Sequence, residues 1–327
     1  MEASEKSGVV HISKQGPPSV LEYTNEFVGT PGNNQVLIRQ HAIALNFVDV
    51  MFRNGSFPLK QFPATIGVEA AGVVEAVGPH AGEWALGDRV GYYFSLGAYA
   101  ERRLIHKDEL IRLPQDISFD QAAALMAKGL TARMLVKQAY PVQAGDVVLV
   151  HAAVGGVGSL VSRWAKSLGA TVIGTVGNAS KKVLAESQGT DLVIALDSEN
   201  IAEQVHAFTH GTGVHAVFDG VGKATFSKSA PLVKSSGSIV LYGNASGSPK
   251  IDTDFLASRN ISLVRPSLGQ YLPDKQHVNV AVDELFEAVR TGILGDIKPA
   301  IYALSEVSRA HDDLEASRTT GSVVLRP

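Results

Sequence analysis

A regular alternation of apolar strands and helices in the middle of the chain constrains the fold more than any other feature. Six short apolar runs occur there, at 146–150, 171–176, 192–196, 214–218, 238–242 and 261–264. After the first run, Leu160, Trp164 and Leu168 recur every four residues, which places them on one helical face. Apolar strands separated by helices predict a parallel sheet buried on both sides, the doubly wound α/β class that binds nucleotides.

The segments on either side of this alternation have a different character. The first 125 residues contain short β-branched runs, such as 35–39 and 72–78, bounded by glycine and proline. This pattern predicts a mostly β unit of Greek-key or barrel type. After the helix expected at 278–290, a strand at 298–304, a helix at 306–317 and a strand at 322–325 are predicted. We expect this tail to return to the N-terminal unit.

Charge and cysteine content exclude several classes of function. The 29 basic and 32 acidic side chains of the 327 residues leave a net charge of −3, whereas nucleic-acid binders carry a basic surplus. The chain has no cysteine. Disulfides, thiolate zinc sites and cysteine nucleophiles are therefore excluded.

The targeting features of the sequence predict a cytoplasmic protein. Residues 1–7 have no apolar core of the kind that a secretory signal requires. No apolar stretch approaches the roughly 20 residues that span a bilayer. We expect no membrane partner.

The strongest local signal is the stretch HAAVGGVG at 151–158, between the first apolar run and its helix. A dinucleotide pyrophosphate needs backbone N–H groups at a helix N-terminus and no side chains in the way. The usual G-x-G-x-x-G pattern here begins with Ala153 and continues with Gly155, Gly156 and Gly158. The context favours a nucleotide site. The alternative is a turn that only packs helix on sheet, and His151 is interpreted as a strand-end residue.

The second strand predicts which dinucleotide is bound. NAD sites carry an acidic residue about 20 residues after the glycines, where it binds the ribose 2′-hydroxyl. Here the strand ends at Gly177 and is followed by Lys181 and Lys182 near the start of a helix. A helix N-terminus with a lysine favours a 2′-phosphate, and hence NADPH. The alternative is that both lysines only mark a solvated helix start.

Eight motifs, taken together and in order, make the chain resemble the medium-chain dehydrogenase/reductase superfamily. Within it, the chain is most similar to the zinc-free NADPH:quinone oxidoreductases related to zeta-crystallin. The motifs are NFVDVMFRNG (46–55), GVEAAG (67–72), GDRV (87–90), KGLT (128–131), HAAVGGVG (151–158), YGN (242–244), RPSL (265–268) and SR (317–318).

The resemblance implies an α/β fold with two domains. A GroES-like, mostly β catalytic domain would comprise 1–125 and 297–327, and a Rossmann domain that binds NADPH would comprise 126–296. The cofactor would lie in a cleft between them. A homodimer joined through the Rossmann domains is also implied.

Catalytic zinc separates the members of the superfamily into two groups. Its alcohol dehydrogenases bind catalytic zinc through Cys, His and Glu, and Val68 stands where the histidine of that motif would be. We therefore expect no metal and interpret Glu69 as structural. His206 and His210 have helical spacing, but without a third ligand they are interpreted as part of a solvated helix.

The resemblance also assigns cofactor contacts by motif position. Asn46 and Phe47 would lie near the nicotinamide, Gly177 and Lys181 at the 2′-phosphate, and Arg318 would close the site. The remaining expected contacts are Lys128, Thr131, Gly155, Gly156, Val157, Gly158, Val221, Tyr242, Gly243, Asn244, Pro266, Ser267 and Leu268.

On the substrate side, Asn46 is the expected catalytic residue, since it would orient a carboxamide or carbonyl without acting as an acid or base. Asp49, Met51 and Arg53 are predicted to line the substrate cleft, although a structural salt bridge is an equal alternative for Asp49 and Arg53. Relatives carry aromatic residues at Met51 and near Met134, and a tyrosine at Leu196.

The expected activity is direct hydride transfer from NADPH to a small-molecule quinone. Two alternatives remain at this point. One is NADPH-dependent reduction of α,β-unsaturated ketones or aldehydes. The other is a non-catalytic, crystallin-like protein that binds NADPH or RNA.

Overall fold

The structure, a computed structural model, describes residues 6–327. The prediction about residues 1–7 therefore falls mostly on residues that lie outside the described part. The strands are β1 Lys6–Ile12, β2 Leu21–Phe27, β3 Gln35–Leu45, β4 Ala70–Val77, β5 Arg89–Tyr92, β6 Arg102–His106, β7 Ile111–Arg112, β8 Val147–Val150, β9 Thr171–Val176, β10 Leu192–Ala195, β11 Val214–Asp219, β12 Val233–Leu241, β13 Ser262–Val264, β14 Ala300–Ala303 and β15 Val323–Arg326.

The helices are α1 Phe47–Asn54, α2 Phe119–Met134, α3 Gly156–Ser167, α4 Lys182–Ser187, α5 Ile201–Phe208, α6 Phe226–Ser229, α7 Thr253–Ser258, α8 Leu268–Tyr271, α9 Lys275–Arg290 and α10 Val307–Glu315. Short helical turns lie at Pro18–Val20, Lys107–Glu109, Leu135–Ala139, Ala179–Lys181, Ala230–Leu232 and Leu304–Glu306. None of these described helices combines the length and the apolar character that crossing a membrane requires.

Contacts divide the chain into two units. The first comprises the described residues up to Ala127 together with Ile297–Pro327, and the second comprises Lys128–Asp296. Helix α2 carries the chain from the first unit into the second.

The second unit contains the doubly wound sheet that the alternation predicts. Its six strands lie in the order β10-β9-β8-β11-β12-β13, and all the pairings are parallel. Leu149, Ile173 and Val217 are completely buried at its centre. Each such side chain contributes about 1.5–3 kcal/mol through burial.

Strand β12 begins five residues earlier than its apolar run predicts, at Val233 rather than at 238. Its first half is polar, and the register of its pairing with β11 shifts between Val214 and Ala216. The backbones approach closely here, because a Cβ on Gly237 would lie 2.8 Å from the His215 carbonyl oxygen. A hydrophobicity pattern does not detect a strand that pairs through its backbone without burying apolar side chains.

The first unit contains a mixed, mostly antiparallel sheet of seven strands and the β1–β2 hairpin. Strand β3 pairs with β4, β6 and β15 along its eleven residues. The pairing of Val323–Leu325 with β3 confirms that the C-terminal tail returns to the N-terminal segment. Helix α1, which carries the predicted catalytic segment, starts directly after β3.

Candidate cofactor and substrate site

The predicted cofactor residues of the second unit converge on one edge of its sheet. The glycine turn follows β8, Gly177 follows β9, and Val221 follows β11. Tyr242, Gly243 and Asn244 follow β12, and the 266–268 segment follows β13. The carboxyl ends of parallel strands face the same edge, which is where open α/β sheets bind their ligands.

The turn after β8 presents a helix N-terminus at this edge. Ala152 adopts a left-handed conformation with φ of 52°, and the Gly155 N–H donates to its carbonyl at 2.8 Å. Helix α3 then begins at Gly156. A Cβ on Gly158 would lie 2.3 Å from the Ala152 carbonyl oxygen. Gly158 therefore lets the helix pack against the turn, and the free N–H groups of the first helical turn are suited to a phosphate.

The structure explains why alanine is tolerated at the first position of the glycine pattern. Ala153 is completely buried, and its N–H donates to the Thr175 carbonyl at 2.9 Å. A Cβ on Gly174, in the facing strand β9, would lie 2.7 Å from the Ala153 methyl group. In the usual pattern a glycine at the position of Ala153 leaves this space free. Here Gly174 leaves room for the Ala153 methyl group instead, and sequence reasoning did not single out Gly174.

His151 lies behind the turn, as the strand-end interpretation predicts. It is completely buried, and its Nδ1 lies 2.9 Å from the Thr175 hydroxyl. Burial lowers the pKa of His151, and the nearby Asp219 carboxylate partly opposes that shift. A buried neutral imidazole is not available as a base for a bound substrate.

Asp219 organises the loop that follows β11. Its carboxylate is completely buried and accepts from the Val221 N–H at 2.8 Å, the Gly222 N–H at 2.9 Å and the Thr225 hydroxyl at 2.8 Å. Buried carboxylates need such donors. Asp219 was not predicted, and only its position at the end of a parallel strand could have indicated it.

The segment after β9 is open and positively charged. A Cβ on Gly177 would meet nothing within 4 Å. Lys181 is half-buried, and this burial lowers its pKa. Lys182 is half-buried as well, and its Nζ pairs with the Glu199 carboxylate at 2.8 Å. Leu196 packs against the apolar core of the unit.

The loops after β11 and β12 pack against each other. A Cβ on Gly243 would lie 2.6 Å from the Gly220 carbonyl oxygen, so the two backbones touch where the ribose and nicotinamide contacts are predicted. Tyr242 covers Gly220, and burial together with the Asp219 charge raises its pKa. After β13, Ser267 caps helix α8, and Leu268 is buried.

In the first unit, Asn46 is held through both its backbone and its side chain. It caps helix α1, and its backbone N–H donates to Asp49 Oδ2 at 2.8 Å. Its side-chain Nδ2 donates to Glu69 Oε2 at 2.8 Å. Glu69 is 0% exposed and also accepts the Ala127 N–H at 2.6 Å. Glu69 is therefore part of the framework of α1 and α2, as its structural interpretation predicts.

For Asp49 and Arg53 the structure favours the structural alternative over a place in the substrate cleft. Their side chains are 0% and 1% exposed. Asp49 accepts from the Tyr99 hydroxyl at 3.1 Å, and that hydroxyl lies 2.9 Å from His311 Nε2. Arg53 pairs with Glu315 at 2.7 Å. Both charged side chains point into the protein, because they lie on the face of α1 that packs on α10 and the sheet.

The other predicted residues differ in their exposure. Phe47 and Met51 are half-buried on α1, and Thr131 is half-buried on α2. Lys128 and Met134 on α2 are buried. Arg318 is exposed, and its Nε pairs with Asp313 at 2.6 Å.

Helical spacing does not bring His206 and His210 onto one helix. Helix α5 ends at Phe208, and His210 adopts a left-handed φ of 50° beyond it. Among residues 6–327, no group of three or more His, Cys, Asp or Glu side chains is arranged to hold a metal ion.

Two family models match the chain. Residues 32–115 match the alcohol dehydrogenase GroES-like domain. Residues 156–287 match the domain described as zinc-binding dehydrogenase.

Similarity to characterised proteins extends over nearly the whole chain. A quinone oxidoreductase of Pseudomonas aeruginosa is 40% identical, over 97% of this chain and 99% of that protein. A 2-haloacrylate reductase of Burkholderia is 37% identical, over 97% and 98%. The structure of the Escherichia coli quinone oxidoreductase complexed with NADPH is 36% identical and superimposes with a TM-score of 0.93, over 98% of this chain and 100% of that one. The chain therefore belongs to the quinone oxidoreductase family of the medium-chain dehydrogenase/reductase superfamily.

Proposed function

We propose that this protein is an NADPH-dependent quinone oxidoreductase. The observation that carries the proposal is the full-length similarity to quinone oxidoreductases at 36–40% identity. The similar structure of the Escherichia coli quinone oxidoreductase is complexed with NADPH. The substrate is then a small molecule, and the reaction moves a hydride to it.

The residues of the second unit fit such a cofactor. The N-terminus of α3 and the Gly155–Gly158 turn would hold the pyrophosphate, with Gly156 and Val157 at the first helical positions. Gly177 and Lys181 would hold the 2′-phosphate, because the strand ends without an acidic side chain and the space beside Gly177 is open. A phosphate dianion beside Lys181 favours the protonated amine and offsets the effect of its burial.

The ribose and nicotinamide would lie along the loops after β11, β12 and β13. Val221, Tyr242, Gly243, Asn244, Pro266, Ser267 and Leu268 form that wall in the proposal. Lys128, Thr131, Phe47 and Arg318 complete the cofactor contacts.

When bound, the nicotinamide supplies the hydride. The protein then has to orient the acceptor and exclude water. Asn46 is suited to orientation because its amide is fixed by Glu69 at 2.8 Å. A quinone needs no side-chain acid in this scheme, since water can protonate the product oxygens. Met51 would contribute an apolar surface on the substrate side.

The zinc site of the alcohol dehydrogenases does not fit this chain, so no step is assigned to a metal. Val68 is an apolar, buried residue, and the sequence contains no cysteine. Both Glu69 oxygens accept N–H groups, from Asn46 and Ala127. We propose zinc-independent transfer.

Reduction of an activated carbon–carbon double bond is the second candidate. It is favoured by the 37% identity to a 2-haloacrylate reductase over 97% of the chain. Such acceptors and quinones share a conjugated, electron-poor π system that takes a hydride.

We further propose that the protein works as a homodimer in the cytoplasm.

A substrate panel separates the two candidates. NADPH oxidation is followed at 340 nm with 1,4-benzoquinone, 2-chloroacrylate and crotonaldehyde at matched concentrations. The proposal expects the highest kcat/KM with the quinone. Turnover restricted to the acrylate or the enal would replace it with the second candidate. Equal rates with NADH and NADPH would contradict the cofactor assignment.

A further inference from the structure

The contact between Glu69 and Asn46 does more than bury a carboxylate. An ionised carboxylate only accepts hydrogen bonds, whereas an asparagine amide has an accepting and a donating end. Glu69 Oε2 therefore selects one of the two orientations of the Asn46 amide, the one with Nδ2 toward Glu69 at 2.8 Å. The other orientation would bring two acceptor oxygens together inside the protein.

The second oxygen of Glu69 makes this selection rigid. Oε1 accepts the Ala127 N–H at 2.6 Å, so the carboxylate cannot turn away without leaving a buried N–H group unpaired. Ala127 lies in the middle of α2, and Asn46 begins α1. One buried side chain thus connects the start of α1 with the interior of α2.

The Asn46 backbone is fixed independently of its side chain. Its N–H donates to Asp49 Oδ2, and Asp49 also accepts from Tyr99. The position of the residue therefore depends on Asp49, and the orientation of its amide depends on Glu69.

We propose that Glu69 is a positioning residue, which sets the polarity of the Asn46 amide that faces the acceptor. The inference rests on the proposed function, because it gives Asn46 its orienting role. It also gives the glutamate of the GVEAAG motif a role that requires no metal.

Glu69→Gln tests the proposal with little change of shape. The Ala127 N–H still needs an acceptor and takes the glutamine oxygen, so the glutamine NH₂ faces Asn46 and the Asn46 amide must reverse. We expect kcat with 1,4-benzoquinone to fall about 10-fold, the value of one lost hydrogen bond. The KM for NADPH should stay within about twofold, because the phosphate contacts lie elsewhere. Glu75→Gln is the matched control and should leave kcat unchanged, because Glu75 lies on β4, the strand that directly follows Glu69, and is half-buried beside Arg39 and Arg102.

A double-mutant cycle shows whether Glu69 acts through Asn46. If it does, Glu69→Gln has no further effect on kcat in an Asn46→Ala background. A second full loss in that background would overturn the proposal. A wild-type protein that reduces neither quinones nor acrylates would instead remove the proposed function, which is a different outcome.

Asn46→Asp provides a second test if Glu69→Gln fails to fold. Two carboxylates at hydrogen-bond distance share a proton, so the pKa of the pair rises. The melting temperature of the cofactor-free variant should then increase, relative to wild type, as the pH is lowered from 8 toward 5. Equal pH dependence of the two proteins would show that Glu69 does not face residue 46.

Discussion

The two units build their parts of the site in different ways. In the second unit the edge proposed to bind the phosphates is made of backbone, because glycines and the α3 N-terminus leave space and N–H groups at the ends of parallel strands. In the first unit the proposed site residue Asn46 depends on buried side chains, namely Asp49 on its own helix, Glu69 and, through Asp49, the distant Tyr99 and His311. A backbone site should be lost through one added Cβ, whereas a side-chain site should be lost through one unpaired buried group.

The largest expected effect is in the second unit. Gly156→Val places a branched side chain at the first position of α3, where the pyrophosphate is proposed to bind. We expect complete loss of NADPH binding with the fold retained. The measurement is the NADPH-induced rise in melting temperature, together with the circular dichroism spectrum.

Gly158→Ala sharpens this prediction, since it lies only two residues away. Its Cβ would lie 2.3 Å from the Ala152 carbonyl oxygen, a backbone atom, so this variant should lose stability even without cofactor. If Gly156→Val unfolds as well, the turn serves only helix packing. A wild-type thermal shift in Gly156→Val would mean that the phosphates bind elsewhere.

The next prediction concerns the first unit. Asp49→Ala removes the buried acceptor of the Asn46 N–H and the Tyr99 hydroxyl. Each unpaired buried group costs about 1–3 kcal/mol, so the free energy of unfolding should fall by about 3 kcal/mol or more. Urea denaturation measures this loss. Asp108→Ala is the control, because Asp108 is 63% exposed and its loss should change stability by less than about 0.5 kcal/mol. Equal effects of the two variants would remove the contrast between the units.

These contrasts also explain what could be predicted from the sequence. The parallel sheet follows from local periodicity, because each strand and helix carries its own apolar pattern. The glycine turn follows from spacing. The burial of Asp49 and Arg53 does not, since their partners Tyr99, His311 and Glu315 lie about 50 to 262 residues away along the chain. Charge in the sequence does not tell whether a side chain faces solvent or a buried partner.

Lys181 and Lys182 test the NADPH preference within one helical segment. Lys181→Ala should raise the KM for NADPH about tenfold, since one charge-assisted contact contributes roughly 1.5–3 kcal/mol. The KM for NADH should stay nearly unchanged. Lys182→Ala should have a much smaller effect, because Lys182 is not among the residues proposed to bind the 2′-phosphate and its amine pairs with Glu199 at 2.8 Å. Equal losses for both cofactors would show that Lys181 does not bind the 2′-phosphate.

The last contrast is a pH dependence in the first unit. Burial, together with the Arg53 charge, lowers the pKa of His311 from 6.5 to about 3. The pKa of His311 is lower in the folded protein than in the unfolded one, so the unfolded protein binds the proton more tightly. The contribution of His311 to the free energy of unfolding is therefore fully present above pH 6.5 and is lost as the pH falls toward 3. His311→Gln cannot take up the proton. Between pH 7 and pH 5 it should lose about 2 kcal/mol less stability than the wild type.

The exposed His206 is the control for this pH effect. His206→Gln should follow the wild-type dependence of unfolding free energy on pH. If His311→Gln follows it too, His311 is not held neutral by the fold.

The central claim is metal-independent hydride transfer from NADPH to a quinone. The most direct measurement is single-turnover reduction of 1,4-benzoquinone by chelator-dialysed protein, with NADPH carrying hydrogen or deuterium at the transferred position. We predict full activity after dialysis and a slower reaction with deuterium. Activity that disappears on dialysis and returns with zinc would contradict the claim, as would a rate that does not depend on the isotope.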